Sequence, residues 1–97
     1  MTRAETKLHQ GAEGLWPGSG DDLVTVYRAF TGRSDSFWCA AMIAAMLRGM
    51  GTREKALASL RERVPRAGRP GPKMQRAEAA LAALDRLDRH ANKGLPV

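Results

Sequence analysis

The sequence predicts an all-α fold, a small bundle of about four helices behind a flexible N-terminal arm. Three observations point there. Apolar residues recur at helical spacing in segment after segment. Asp, Ser, Thr, Gly and Pro stand at the segment ends, where caps and breakers belong. All five aromatic residues, Trp16, Tyr27, Phe30, Phe37 and Trp38, fall between positions 16 and 38, so the second half must pack with leucine, alanine and methionine.

Residues 1–20 carry glycines at 11, 14, 18 and 20 and show no apolar period, which predicts a flexible arm ending in the turn PGSG. Leu15 and Trp16 are its apolar residues and can fold back as a cap on the core. The first helix is expected over about 21–31. Leu23, Val26, Tyr27 and Phe30 share one helical face, Asp21 or Asp22 is placed to cap it, and Gly32 to end it. LVTVY at 23–27 also suits a strand, and the continuation to Phe30 favours helix.

The next helix is expected over about 35–50. It contains eleven apolar residues in succession, Phe37 to Leu47, which predicts burial nearly all round. Trp38, Met42, Met46 and Met50 make one bulky ridge, and Ala40, Ala41, Ala44 and Ala45 leave the other side flat enough for close helix approach. Cys39 reads as a small buried hydrophobe. After a GMG turn, Thr52 caps a helix over about 52–64 with a narrow stripe of Leu57, Leu60 and Val64, and Pro65 stops it. A last helix is expected over about 73–92, with Met74, Ala77, Leu81, Leu84 and Leu87 as its stripe and Gly94 as its end. That Ala/Leu face suits either the chain's own core or a second copy, giving a homodimer through 73–92.

Ninety-seven residues make one domain, taken as 21–97 beyond the arm, and a chain of this size hides only about two-thirds of its unfolded surface. One cysteine excludes an internal disulfide. With only His9 and His90 beside it, far apart in sequence, no metal site is expected. The opening MTRAETKLHQ has no apolar stretch of signal-peptide type, and the longest apolar run falls short of the roughly 20 residues a membrane span needs. A cytoplasmic protein with no membrane partner is expected. No nucleophile stands beside a base, no carboxylate pair is evident, and Cys39 lies between Trp38 and Ala40, so neither an enzyme nor a cofactor is expected.

Charge is the most informative property. Up to Ala40 there are four basic residues against five acidic, and beyond Arg76 three against three. From Arg48 to Arg76 there are nine basic residues against Glu54 and Glu62, so the whole net charge of +6 lies in this middle segment. GC-rich composition raises the arginine count without explaining the clustering. Arg48, Arg53, Lys55, Arg61, Arg63, Arg66, Arg69, Lys73 and Arg76 are therefore the candidate residues for binding a nucleic acid or an acidic protein surface. Within the cluster, RVPRAGRPGPK at 63–73 places four cations and three prolines in eleven positions, first of all as a helix connector.

The helix, turn and helix from Phe37 to Val64 resembles a helix-turn-helix, whose second helix enters the major groove. With Gly51 as the turn glycine, Met46, Met50, Leu57 and Leu60 fall where that motif packs its two helices together, while Leu47 and Thr52 depart from its pattern. The resemblance implies Arg53, Glu54, Ser59 and Arg61 for base or phosphate contact, with Arg48 and Arg63 near the backbone. A helical hairpin with a solvated charged face produces the same pattern. AGRPGPK resembles the AT-hook in Gly68, Arg69 and Pro70, but Ala67 replaces the first arginine of that element, which leaves a cationic strand able to follow phosphates through Arg66, Arg69 and Lys73.

Two functions follow. The first is a small basic helical protein that binds nucleic acid, regulatory and at best helix-turn-helix-like. The alternative is an interaction protein or inhibitor of phage or mobile-element type that docks its basic face on an acidic protein or a nucleoprotein complex.

Overall fold

The computed structural model describes residues 1–93, with side chains through His90, and is helical with no strand among the described residues. Five helices follow one another: α1 (Arg3–Leu15), α2 (Gly20–Arg28), α3 (Ser36–Leu47), α4 (Arg53–Arg63) and α5 (Pro72–Lys93). Residues 23–27 are helix. Gly94, the expected end of the last helix, lies outside the described residues.

The fifth helix corrects the expected count of about four, because the stretch read as an arm forms α1. Its start is a capping box. The Thr2 hydroxyl accepts from the Glu5 N–H (3.2 Å) and the Thr2 N–H donates to Glu5 Oε1 (2.8 Å). Leu8, Ala12 and Trp16 then recur at spacing four and are buried. The glycines that argue against a helix serve its docking: a Cβ on Gly11 would stand 3.2 Å from Leu47 Cδ1 of α3.

α1 also builds the start of α2. Ser19 rather than either aspartate is the N-cap of α2, and its buried hydroxyl donates to Trp16 O (2.7 Å) and Ala12 O (3.2 Å). Asp21 and Asp22 fall in the first turn, where carboxylates favour the helix dipole. The Glu13 carboxylate of α1 accepts from the N–H groups of Gly18 (2.7 Å) and Gly20 (3.0 Å), which holds its pKa below the usual carboxylate range. A Cβ on Gly20 would lie 2.7 Å from the His9 ring and 2.8 Å from Glu13, so only glycine fits there.

The core joins every helix. Leu23, Val26 and Phe30 from α2 and the turn after it meet Cys39, Ile43 and Met46 of α3, Leu57 and Leu60 of α4, and Ala80, Ala83, Leu84 and Leu87 of α5. α5 lies antiparallel on α2, as the pairing of Asp22 with Arg86 (2.8 Å) at one end and the apposition of Arg28 with Arg76 at the other require. The stripe expected on α5 shifts toward its alanines: Ala80 and Ala83 are fully buried while Met74 and Leu81 are partly exposed. Small residues let the helix backbones approach closely, and the bulkier side chains then lie at the edges. Ala77, Leu84 and Leu87 of the face expected for a homodimer through 73–92 are enclosed in the chain's own domain, while Ala79, Leu81 and Ala82 remain exposed or partly so.

α3 departs most from expectation. Only Cys39, Ile43 and Met46 are buried, Trp38, Met42 and Leu47 pack partly against the core, and Phe37 and Met50 are 86% and 65% exposed. The ridge therefore ends at Met46. Cys39 is fully enclosed, as a small buried hydrophobe should be, and burial, with the nearby Asp35 charge, pushes its thiol pKa up to about 12. α4 begins at Thr52, whose hydroxyl accepts from the Lys55 N–H (3.2 Å), and stops before Pro65. Pro72 occupies the first position of α5, where its missing N–H costs nothing.

Truncating Trp16→Ala, a change without consequence in a flexible arm, is expected to cost about 3–5 kcal/mol in urea denaturation because the ring is 7% exposed in the core. A second expectation concerns acid. The Glu5 carboxylate accepts from the Thr2 N–H and from Arg28 Nε (2.6 Å), which lowers its pKa from 4.5 to about 2. A depressed folded pKa gives stability that is present above about pH 4.5 and lost as the pH falls through about 2. Melting curves of Glu5→Gln should therefore lie below those of the parent at neutral pH and converge with them in that acid window.

Candidate functional site

The position of α4 against α5 sets the shape of the basic region. Near the end of α4, Arg61 donates to Asp85 (2.5 Å) and Asp88 (3.2 Å) in the second half of α5. The start of α5 lies 13 residues before Asp85, about 20 Å at 1.5 Å per residue. The connection over 64–71 must run back that distance. Its eight residues reach about 27 Å at most, and they cover the distance with bends at 64 and 68–71. Prolines at 65 and 70 keep the segment from continuing as helix.

Where this segment passes the turn after α2, a cleft of about 840 Å³ opens. Arg33 stands on one side, Arg66 and Arg69 on the connection, and Lys73 and Arg76 on the first turns of α5. All five are exposed, and no carboxylate or aromatic side chain lines the cleft. Arg33 is shared with Asp35 (3.3 Å), whereas the other four form no ion pair among the described residues. A smaller hollow of about 290 Å³ between α2 and α5 shares Pro72 and Arg76 with the cleft and leads on to Arg28. The arrangement is a cationic track of exposed side chains, and no group of metal-ligating side chains occurs among the described residues.

The nine candidate residues thus separate into groups. Arg66, Arg69, Lys73 and Arg76 come together in the cleft. Arg48 is exposed at the end of α3, and Lys55 is exposed on α4. Arg53 lies over the Trp16 ring (4.7 Å) and Arg63 over the Trp38 ring (4.3 Å), where each contributes cation–π attraction. Arg61 is committed to α5. Its two carboxylates raise its pKa and hold it in place.

The helix-turn-helix comparison also weakens in three dimensions. Met50 is exposed instead of packed between the helices, and the outward face of α4, Glu54, Lys55, Ala58 and Glu62, carries two carboxylates beside one ammonium. Arg33, by contrast, is a site residue that the charge count does not find: it stands 33 positions before Arg66, in a stretch without net positive charge, and only the fold brings the two together.

No family model matches the chain, and neither a curated protein nor a solved structure matches it significantly.

If Arg61 holds α4 to α5, a double-mutant cycle of Arg61→Ala with Asp85→Ala should return a coupling of about 0.2–1 kcal/mol, the range for partly exposed pairs, with each single change lowering the urea midpoint.

Proposed function

We propose that the protein binds nucleic acid by gripping phosphates in the cleft between the 64–71 connection and the turn after α2. The observation that carries this reading is the convergence of Arg33, Arg66, Arg69, Lys73 and Arg76 from three separate segments on one cleft without a carboxylate in its lining.

The chemistry of the lining sets the mode. Guanidinium and ammonium groups exchange condensed counterions for their own charge, which gives affinity without sequence information. No aromatic ring is present to stack an unpaired base, so single strands gain nothing over a duplex here. The dispersed arginines of α4 are engaged by Trp16, Asp85 and Asp88, which disfavours insertion of that helix into a groove. The proposed activity is therefore duplex-backbone binding indifferent to sequence, in the micromolar to sub-millimolar range usual for such contacts near physiological salt.

Anisotropy of a labelled random-sequence duplex, titrated from low to physiological salt, tests it. A logarithmic salt slope of about four, corresponding to four or five phosphates, is expected. The double variant Arg66→Glu/Arg69→Glu should lose at least about tenfold in affinity while keeping its melting temperature, and Arg53→Gln should bind as the parent does. Equal loss in both variants, or no binding at low salt, would refute the proposal.

A further inference from the structure

The outer side of α3 is apolar and has no partner in the monomer. Phe37, Ala41, Ala44 and Arg48 follow the spacing i, i+4, i+7, i+11 and so share one stripe, opposite the buried Cys39, Ile43 and Met46. Phe37 is 86% exposed, and Ala40, Ala44 and Ala45 are partly exposed beside it. Met50, folded back by its N–H bond to Ala45 O (3.0 Å), leaves a further large apolar side chain 65% exposed next to the last turn. A helix apolar on every side is ordinarily covered on every side, and this one is not.

The charges around the stripe identify what covers it. Arg48 ends it, Arg63 lies along Trp38 on its flank, and Arg33 precedes its start. α3 contains no carboxylate, and Asp35 at its cap is held by Arg33 and only partly exposed. A second copy is a poor complement. Parallel pairing would set Arg48 on Arg48, and antiparallel pairing would set it beside Arg33, whose charge Asp35 already balances, so neither direction offers Arg48 a free carboxylate. The fitting occupant has an apolar strip to cover Phe37, Ala41 and Ala44 and carboxylates to reach the arginines. The flat alanines admit close helix packing, and α3 is about 18 Å long, room for some three turns of a partner.

We infer that the outer face of α3 docks an acidic amphipathic helix of another protein, with Phe37 as the apolar anchor and Arg48 and Arg63 as the charged rim. Helix-on-face recognition of this kind concentrates affinity in a central aromatic residue and sets orientation through the surrounding charges. Neither Phe37 nor Arg48 lines the phosphate cleft, so the inference stands independently of duplex binding.

The test uses the full chain and a labelled synthetic peptide of roughly five helical turns, with leucines at i, i+4, i+7 and glutamates on the remaining faces, against a scrambled peptide of the same composition. The ordered peptide is expected to bind at least about tenfold more tightly than the scrambled one, and Phe37→Ala and Arg48→Glu should each weaken it by about tenfold or more. Because Phe37 is exposed, the Phe37→Ala variant should melt with the parent and keep its duplex affinity. Equal binding of both peptides, or of parent and Phe37→Ala, would overturn the inference in favour of charge attraction alone. A reversible dimer in sedimentation equilibrium that Phe37→Ala dissociates would also overturn it, by making a second copy the occupant.

Discussion

Where α4 meets α5 constrains the path of the chain between them, and Arg61 marks that meeting alongside the buried Leu57 and Leu60. The bonds of Arg61 to Asp85 and Asp88 fasten the end of α4 to the later turns of α5. Because α5 runs antiparallel to α2, the chain must then return along the domain before α5 can begin, and the connection over 64–71 is drawn out across the turn after α2. The cleft is a product of that path. Charge in the sequence marks Arg61 as a candidate binding residue, and the fold adds that it is paired with Asp85 and Asp88 of α5.

A second constraint is the scarcity of bulk. With five aromatics and many alanines, the domain cannot fill a core by size, so it fills it by close approach. Ala80 and Ala83 bring α5 onto α2, Gly11 brings α1 onto Leu47, and Gly20 seats α2 against His9 and Glu13. Close approach on three sides uses up the helices available. α1, α2 and α4 pack on α3, and among the described residues nothing covers Phe37. The exposed face of α3 thus follows from how the rest of the core is built.

Most of the fold is legible in the sequence wherever apolar period and end signals agree. Thr52 caps α4, Pro65 follows its end, and the Leu57, Leu60 and Val64 stripe is buried as spaced. α1 is the element that the period hides. Thr2 and Glu5 have the spacing of a capping box, and Leu8, Ala12 and Trp16 the spacing of a face, but glycines at 11 and 14 each lower helix propensity by about 1 kcal/mol. Tertiary contact outweighs that cost, and no local rule registers tertiary contact. The same limit applies to the site. Arg66, Arg69, Lys73 and Arg76 are legible because they are neighbours in sequence, while Arg33 joins them only through the course of the chain in space. Arg53, Arg61 and Arg63 carry the same charge, and only the fold shows the partners each meets, Trp16, the α5 carboxylates and Trp38.

The distribution of carboxylates explains why a surplus of charge persists at the cleft. Glu5 holds Arg28, Asp22 holds Arg86, Asp35 holds Arg33, Asp85 and Asp88 hold Arg61, and Glu13 and Asp21 meet His9 at the start of α2. Glu54 and Glu62 face outward on α4, and neither lines the cleft. Most of these acids join helices, Asp35 pairs within its own turn, Glu78 lies exposed on α5, and the cations on the 64–71 connection and the first turns of α5 form no ion pair among the described residues. Such a cluster raises the energy of the isolated fold, since like charges at short range oppose one another even in solvent. An anion in the cleft removes that repulsion at the moment it binds. The proposed binding therefore draws on two sources, attraction to the phosphates and relief of like-charge repulsion, and both weaken together as salt is added.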